Sequence, residues 1–154
     1  MCSSDLAPGS AALSTWGYLA TITVGGVGTP GWRLAVDDAG KVVAWPQTSS
    51  QCPFFVTTDH GATWTEVAPP GDYPKNITSL VFADGAWVAS TVGGPHLWQS
   101  NDLVSWTKLR PPFVEADSYG GIGALAYSEG AWIAVRHASV LLGGRAEDLA
   151  PGPW

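Results

Sequence analysis

The sequence predicts an all-β chain built from β-propeller blades of four antiparallel strands. Three observations point there. Glycines at positions 40, 85 and 130 fall 45 residues apart inside three similar segments, and a period near 45 with four short strands matches a propeller blade. Nine Trp sit among 19 Gly and 12 Pro, the mixture expected of short strands joined by tight turns. No stretch escapes Gly or Pro for long while keeping a 3.6-residue apolar period, which argues against long helices.

The repeat has two parts. The first comprises Leu34–Ala44, Ser79–Ala89 and Ala124–Ala134, which align without gaps and place Val43, Val88 and Ile133 in register. Each reads as strand, two-residue turn, strand, with a glycine at φ > 0 in the turn. The second part follows each hairpin. Thr57-Thr58-Asp59-His60-Gly61-Ala62-Thr63-Trp64 has the form Ser/Thr-x-Asp-x-Gly-x-Thr-Trp, and Ser100-Asn101-Asp102-Leu103-Val104-Ser105-Trp106 is one residue shorter and lacks the glycine. Glu147–Trp154 is a decayed third copy, and Trp16 lies 24 residues before Gly40 as Trp106 lies 24 before Gly130.

In the second motif Asp59 is expected to accept backbone N–H groups further along and so close the turn. Gly61 supplies the left-handed residue, and Trp64 returns on the next strand to pack on a neighbouring sheet. Full burial of that Trp would contribute roughly 4–6 kcal/mol at ~25 cal/mol per Å². Pro69-Pro70 and Pro111-Pro112 end the outgoing strands at matching places, since proline cannot donate to a ladder.

Thr57–Trp64 carries a resemblance to Asp-box (BNR) propellers of the sialidase superfamily. The likeness spans about residues 32–154, with repeats near 32–74, 75–119 and 120–154. On that resemblance Thr57, Asp59, Gly61, Trp64, Ser100, Asp102 and Trp106 are structural Asp-box residues. About three blades do not close a ring of typically 4–8. The expectation is therefore a fragment of a longer protein, or closure by missing blades or self-association. The opening Met1–Leu6 resembles a translated sequencing-library adapter, and a non-native start is expected there.

Sialidases, as the resemblance implies, hold substrate with three Arg and use a Tyr–Glu nucleophile pair and an Asp acid/base. Their Phe/Tyr-Arg-Ile-Pro motif is absent, and Gly31-Trp32-Arg33-Leu34 is the nearest string. No residue is assigned a catalytic role. Arg136 is the candidate to face a central channel, and Glu115, Asp117 and Tyr119 form a candidate ligand-facing loop, because carboxylate pairs in such loops can cleave glycosides. The bland reading of that loop is a solvated connection. Trp32, Trp45 and Trp98 vary between repeats but rank last as sugar-stacking platforms.

Composition narrows the classes further. Seven Lys and Arg against 13 Asp and Glu give a net charge of −6. There is no basic stripe to neutralise phosphates, so a nucleic-acid partner is not expected. No apolar run reaches the ~18 residues of a membrane helix, and no membrane partner is expected. Cys2 and Cys52 read as unpaired thiols, with a disulfide as the alternative. His60, His96 and His137 lack metal-ligand spacing, and neither metal nor cofactor is assigned. Gly25-Gly26-Val27-Gly28 precedes no helix that would present a phosphate site. Asn76-Ile77-Thr78 is an N-glycosylation sequon.

The expected function is a non-catalytic recognition module for glycan or protein, in an extracellular or exported protein as the resemblance implies. The alternative is part of a sialidase-type glycoside hydrolase whose Arg triad lies outside this chain.

Overall fold

The computed structural model describes residues 31–47, 53–92, 96–109, 121–136 and 140–145. Those residues form antiparallel strands in three separate sheets, and no helix occurs among them. The first sheet contains β1 (Gly31–Val36), β2 (Val42–Gln47), β3 (Phe54–Thr57) and β4 (Thr65–Val67), in that spatial order. The second repeats the plan with β5 (Ile77–Ala83), β6 (Ala86–Thr91), β7 (Leu97–Ser100) and β8 (Thr107–Leu109). The third contains β9 (Ile122–Ser128), β10 (Ala131–Arg136) and β11 (Val140–Arg145), with β10 in the middle. Within each sheet every strand pairs with the one before it in sequence, so every link inside a sheet is a hairpin.

Two hairpins form as the sequence predicts. Asp84-Gly85 joins the paired Ala83 and Ala86, and Glu129-Gly130 joins the paired Ser128 and Ala131. Both turn residues take positive φ, 51° and 79° in one case and 51° and 80° in the other. That is the type I′ geometry whose twist matches the flanking strands.

The first hairpin departs from the expectation. Val36 pairs with Val42, leaving a five-residue loop, Asp37–Lys41. The Asp37 carboxylate organises it, with Oδ1 accepting from Ala39 N at 3.0 Å and Lys41 N at 2.8 Å. Ala35 opposite Val43 faces the second sheet, as Val81 opposite Val88 faces the third. The first hairpin therefore carries one residue more between equivalent positions. The gap-free alignment holds along β2 but slips by one along β1, and a one-residue slip exchanges the two faces of a strand.

The sheets stack face to face around two cores. Val43, Trp45 and Phe54 of the first sheet meet Leu80, Trp87 and Trp98 of the second. On the other side of the second sheet, Val88, Leu97 and Leu109 meet Ile122, Leu125 and Trp132 of the third. The period-2 alternation of a strand makes this work: Trp87 and Ala89 point one way, Val88 the other, and every residue of β6 is buried. The first strands bring the sheets together, β5 lying against both β1 and β9.

Polar groups cross the same seams. Trp45 Nε1 donates to the Ile77 carbonyl at 3.3 Å, and Thr78 Oγ1 donates to the Ile122 carbonyl while sharing a 2.8 Å bond with Ser90 Oγ. Thr78 is an extra residue on β5, between the pairs Ile77↔Thr91 and Ser79↔Ser90. Gly123 is the extra residue on β9, between Ile122↔Arg136 and Ala124↔Val135. The two bulges sit 45 residues apart, so the irregularity itself repeats.

The tryptophans sort differently from the expectation. Trp87 is 0% exposed and Trp45, Trp98 and Trp132 are buried. Trp64 is only half-buried, because it lies just before the short edge strand β4, whose residues are largely exposed. Trp64 is thus not the dominant anchor. Trp87→Ala should cost about 3–5 kcal/mol and Trp64→Ala clearly less, as read from urea unfolding midpoints. Gly121 sits so close to the second sheet that an added Cβ would lie 2.2 Å from the Val92 carbonyl oxygen. In the same assay Gly121→Ala should lose about 1–3 kcal/mol.

Candidate functional site

The two Ser/Thr-x-Asp turns link the third and fourth strands of the first and second sheets, and both are held by side-chain oxygens. In the first, Thr57 closes β3 and its Oγ1 accepts from Gly61 N at 2.9 Å while donating to Asp59 Oδ1 at 2.7 Å. Asp59 Oδ1 also accepts from Thr63 N at 2.9 Å, and Oδ2 accepts from Thr63 Oγ1 at 2.6 Å. The second turn repeats this. Ser100 Oγ accepts from Leu103 N at 2.8 Å and donates to Asp102 Oδ1 at 3.0 Å, and that oxygen accepts from Val104 N and Ser105 N at 2.8 and 2.7 Å.

The missing glycine has a local explanation. The first turn uses two left-handed residues, His60 (φ 59°) and Gly61 (φ 90°). The second uses one, Leu103 (φ 66°), which shortens it by a residue. A left-handed conformation costs a non-glycine residue roughly 1–2 kcal/mol. Leu103 offsets this by burying its side chain to 2% exposure in the first core. Its carbonyl also accepts from Trp106 Nε1 at 3.0 Å, and the Trp106 ring stacks on Phe54 at 5.5 Å.

These bonds fix the chemistry of both carboxylates. The Thr63 hydroxyl, then the Thr63 N–H and the Thr57 hydroxyl, lower the Asp59 pKa to about 2. The Ser105 and Val104 N–H groups do the same for Asp102, also to about 2. Groups that stay ionised at neutral pH, with their oxygens bonded to their own turn, are poor proton donors. Elsewhere, Tyr127 OH donates to Asp84 Oδ2 across the second and third sheets, and that bond together with partial burial raises the Tyr127 pKa.

A polar hollow of about 270 Å³ opens beside the second turn, lined by Gln99, Ser100, Asn101, Asp102, Ser105 and Thr107. The sequence reading did not single it out. Its lining comes from β7, the turn and β8, which only the hairpin geometry brings together. Next to it Lys108 lies 4.7 Å over the Trp98 ring and 3.3 Å from Asp72.

The remaining candidates are dispersed. Arg136 ends β10, paired with Val140 on one side and Ile122 on the other. Glu115, Asp117 and Tyr119 lie outside the described residues, as do Cys2, Cys52, Gly25–Gly28, His137 and Glu147–Trp154. His60 is exposed and His96 half-buried. Among the described residues no three His, Cys, Asp or Glu are grouped to hold a metal, and no helix is long and apolar enough to cross a membrane. In the sequon, Asn76 is half-buried and Thr78 is committed to the core bonds described above.

No family model matches the chain, and no curated protein matches it. Among solved structures the chain is similar to the computationally designed Ika4 protein, with 16% identity and a TM-score of 0.47. The match covers 73% of this chain and 63% of the designed one.

A depressed carboxylate pKa gives a stability contribution that is fully present above the ordinary value, near 4, and is lost as pH falls through the folded value. Melting temperature should therefore drop between roughly pH 4 and pH 2 as Asp59 and Asp102 take up protons. Asp59→Asn combined with Asp102→Asn should lower the neutral-pH melting temperature and flatten that part of the profile.

Proposed function

We propose that this chain is a run of Asp-box β-propeller blades serving as a non-catalytic recognition module for glycan or protein, in an exported protein. The observation that carries the reading is that the Asp59 and Asp102 carboxylates accept hydrogen bonds from the backbone and hydroxyl groups of their own turns. Such turns shape a blade and leave its faces and loops free to bind. The propeller assignment is supported by the face-to-face stacking of sheets that meet at their first strands. Glycan is favoured over protein by the hollow beside Ser100–Ser105, whose amide and hydroxyl groups suit a hydroxyl-rich ligand.

The test presents the folded chain to an immobilised glycan panel, with hydrolysis of a fluorogenic sialoside followed in parallel. Retention without turnover is expected, and Gln99→Ala with Thr107→Ala should weaken it about tenfold, the equivalent of ~1.4 kcal/mol. Turnover of the sialoside would replace this reading with the glycoside hydrolase one.

A further inference from the structure

The second Ser/Thr-x-Asp turn differs from the first in what surrounds it. In the first sheet the residue paired with Val43 is Val56, packed against the first core. In the second sheet the residue paired with Val88 is Gln99. A position used for packing in one repeat is polar in the next, and there the hollow of about 270 Å³ opens. The bonds of the turn run through Ser100, Asp102 and the backbone of residues 103–105. The Gln99 and Asn101 amides and the Thr107 hydroxyl stay outside them. Asn101, Asp102, Ser105 and Thr107 are exposed. The hollow belongs to the second sheet, which has a sheet against each face, so it does not depend on what adjoins the first or the third.

The charge of the hollow is one-sided. Asp102 is the charged residue of its lining, which contains no Lys, Arg or His. The Ser105 and Val104 N–H groups donate to that carboxylate at 2.7 and 2.8 Å and keep it ionised well below neutral pH. Lys108, the neighbour of Thr107, is turned away. Thr107 pairs with Gln99 and Lys108 with Trp98, and successive side chains of a strand point to opposite faces. On that other face the Lys108 ammonium lies 4.7 Å over the Trp98 ring and 3.3 Å from the Asp72 carboxylate. An anion in the hollow therefore meets a negative charge with no cation in the lining to offset it.

We propose that the hollow takes uncharged sugar rings and rejects acidic ones, so that the chain selects neutral glycans over those bearing carboxylates or sulfates. The inference rests on the recognition reading and names its ligand class. The volume lies just below the ~300–1,000 Å³ of sites for drug-sized ligands, which suits one ring of a longer glycan. Amides offer both donors and acceptors, and a hydroxyl does the same, as do the hydroxyls of a neutral sugar. An acidic sugar brings its charge to Asp102 instead. One like-charged contact at ~4 Å in water corresponds to about a fivefold loss of affinity, and salt screens it.

The test compares retention of the full chain on neutral oligosaccharides of glucose, galactose and mannose with retention on the same oligosaccharides oxidised at C6 to uronic acids. At low ionic strength each acidic form should be held about fivefold more weakly than its neutral parent, and the gap should narrow in high salt. Asp102→Asn, which keeps an acceptor oxygen for the turn, should narrow the gap at low salt. Asn101→Lys should reverse it. Near-UV circular dichroism of the buried tryptophans checks folding, and Asn101→Lys decides alone if Asp102→Asn loses that signal. Retention of neutral and acidic forms alike at low salt overturns the proposal and leaves the recognition reading standing. A gap that neither folded variant moves does the same. Retention of no oligosaccharide of either kind overturns this proposal together with the glycan reading.

Discussion

Burial of β6 on both faces is the constraint on which the rest of the structure depends. A strand has only two faces, and here both are apolar: Trp87 and Ala89 on one, Val88 on the other. Such a strand is unstable unless a sheet lies on each side, because each buried side chain contributes roughly 1.5–3 kcal/mol only when both sides are covered. The first and third sheets are thus as much a requirement of the second as its neighbours. That mutual need is the physical meaning of a repeat whose units cannot fold singly.

The Ser/Thr-x-Asp turns solve a different problem, the closure of a tight link between an inner and an outer strand. Unpaired N–H groups in such a link must find acceptors, and one hydroxyl with one carboxylate supplies them. The same design tolerates a change of length. Where His60-Gly61 is replaced by Leu103 alone, the hydroxyl and carboxylate keep equivalent bonds, and burial of the leucine offsets the strain. The carboxylates are acidic as a consequence of this work, and their acidity is a structural property of the turn.

Much of this was legible in the sequence because it is local. Positive φ at Asp84-Gly85 and Glu129-Gly130, and the bonding of Asp59 and Asp102, follow from chemistry within a few residues. Errors arose where the answer depended on neighbouring sheets. Trp64 and Trp87 recur equally with the repeat, yet only Trp87 is enclosed, because sequence periodicity does not report how far from the first strand a residue sits. The extra residue in the first hairpin was hidden because Gly40 and Val43 kept their spacing while β1 alone slipped. The polar hollow joins residues from two strands and a turn, so no single motif marked it.

The face-to-face stack makes a graded demand on backbone protection. Amide hydrogen exchange under native conditions, read strand by strand, tests it most directly. The amides of Ala86–Thr91 should exchange slowest, through opening of the whole stack, with Gly31–Val36 and Thr65–Val67 fastest among the strands. Substituting Trp87 by Ala should speed exchange in the first and third sheets together with the second. Contradiction would come from β6 exchanging as fast as β4, or from a first sheet whose protection is unchanged when Trp87 is lost.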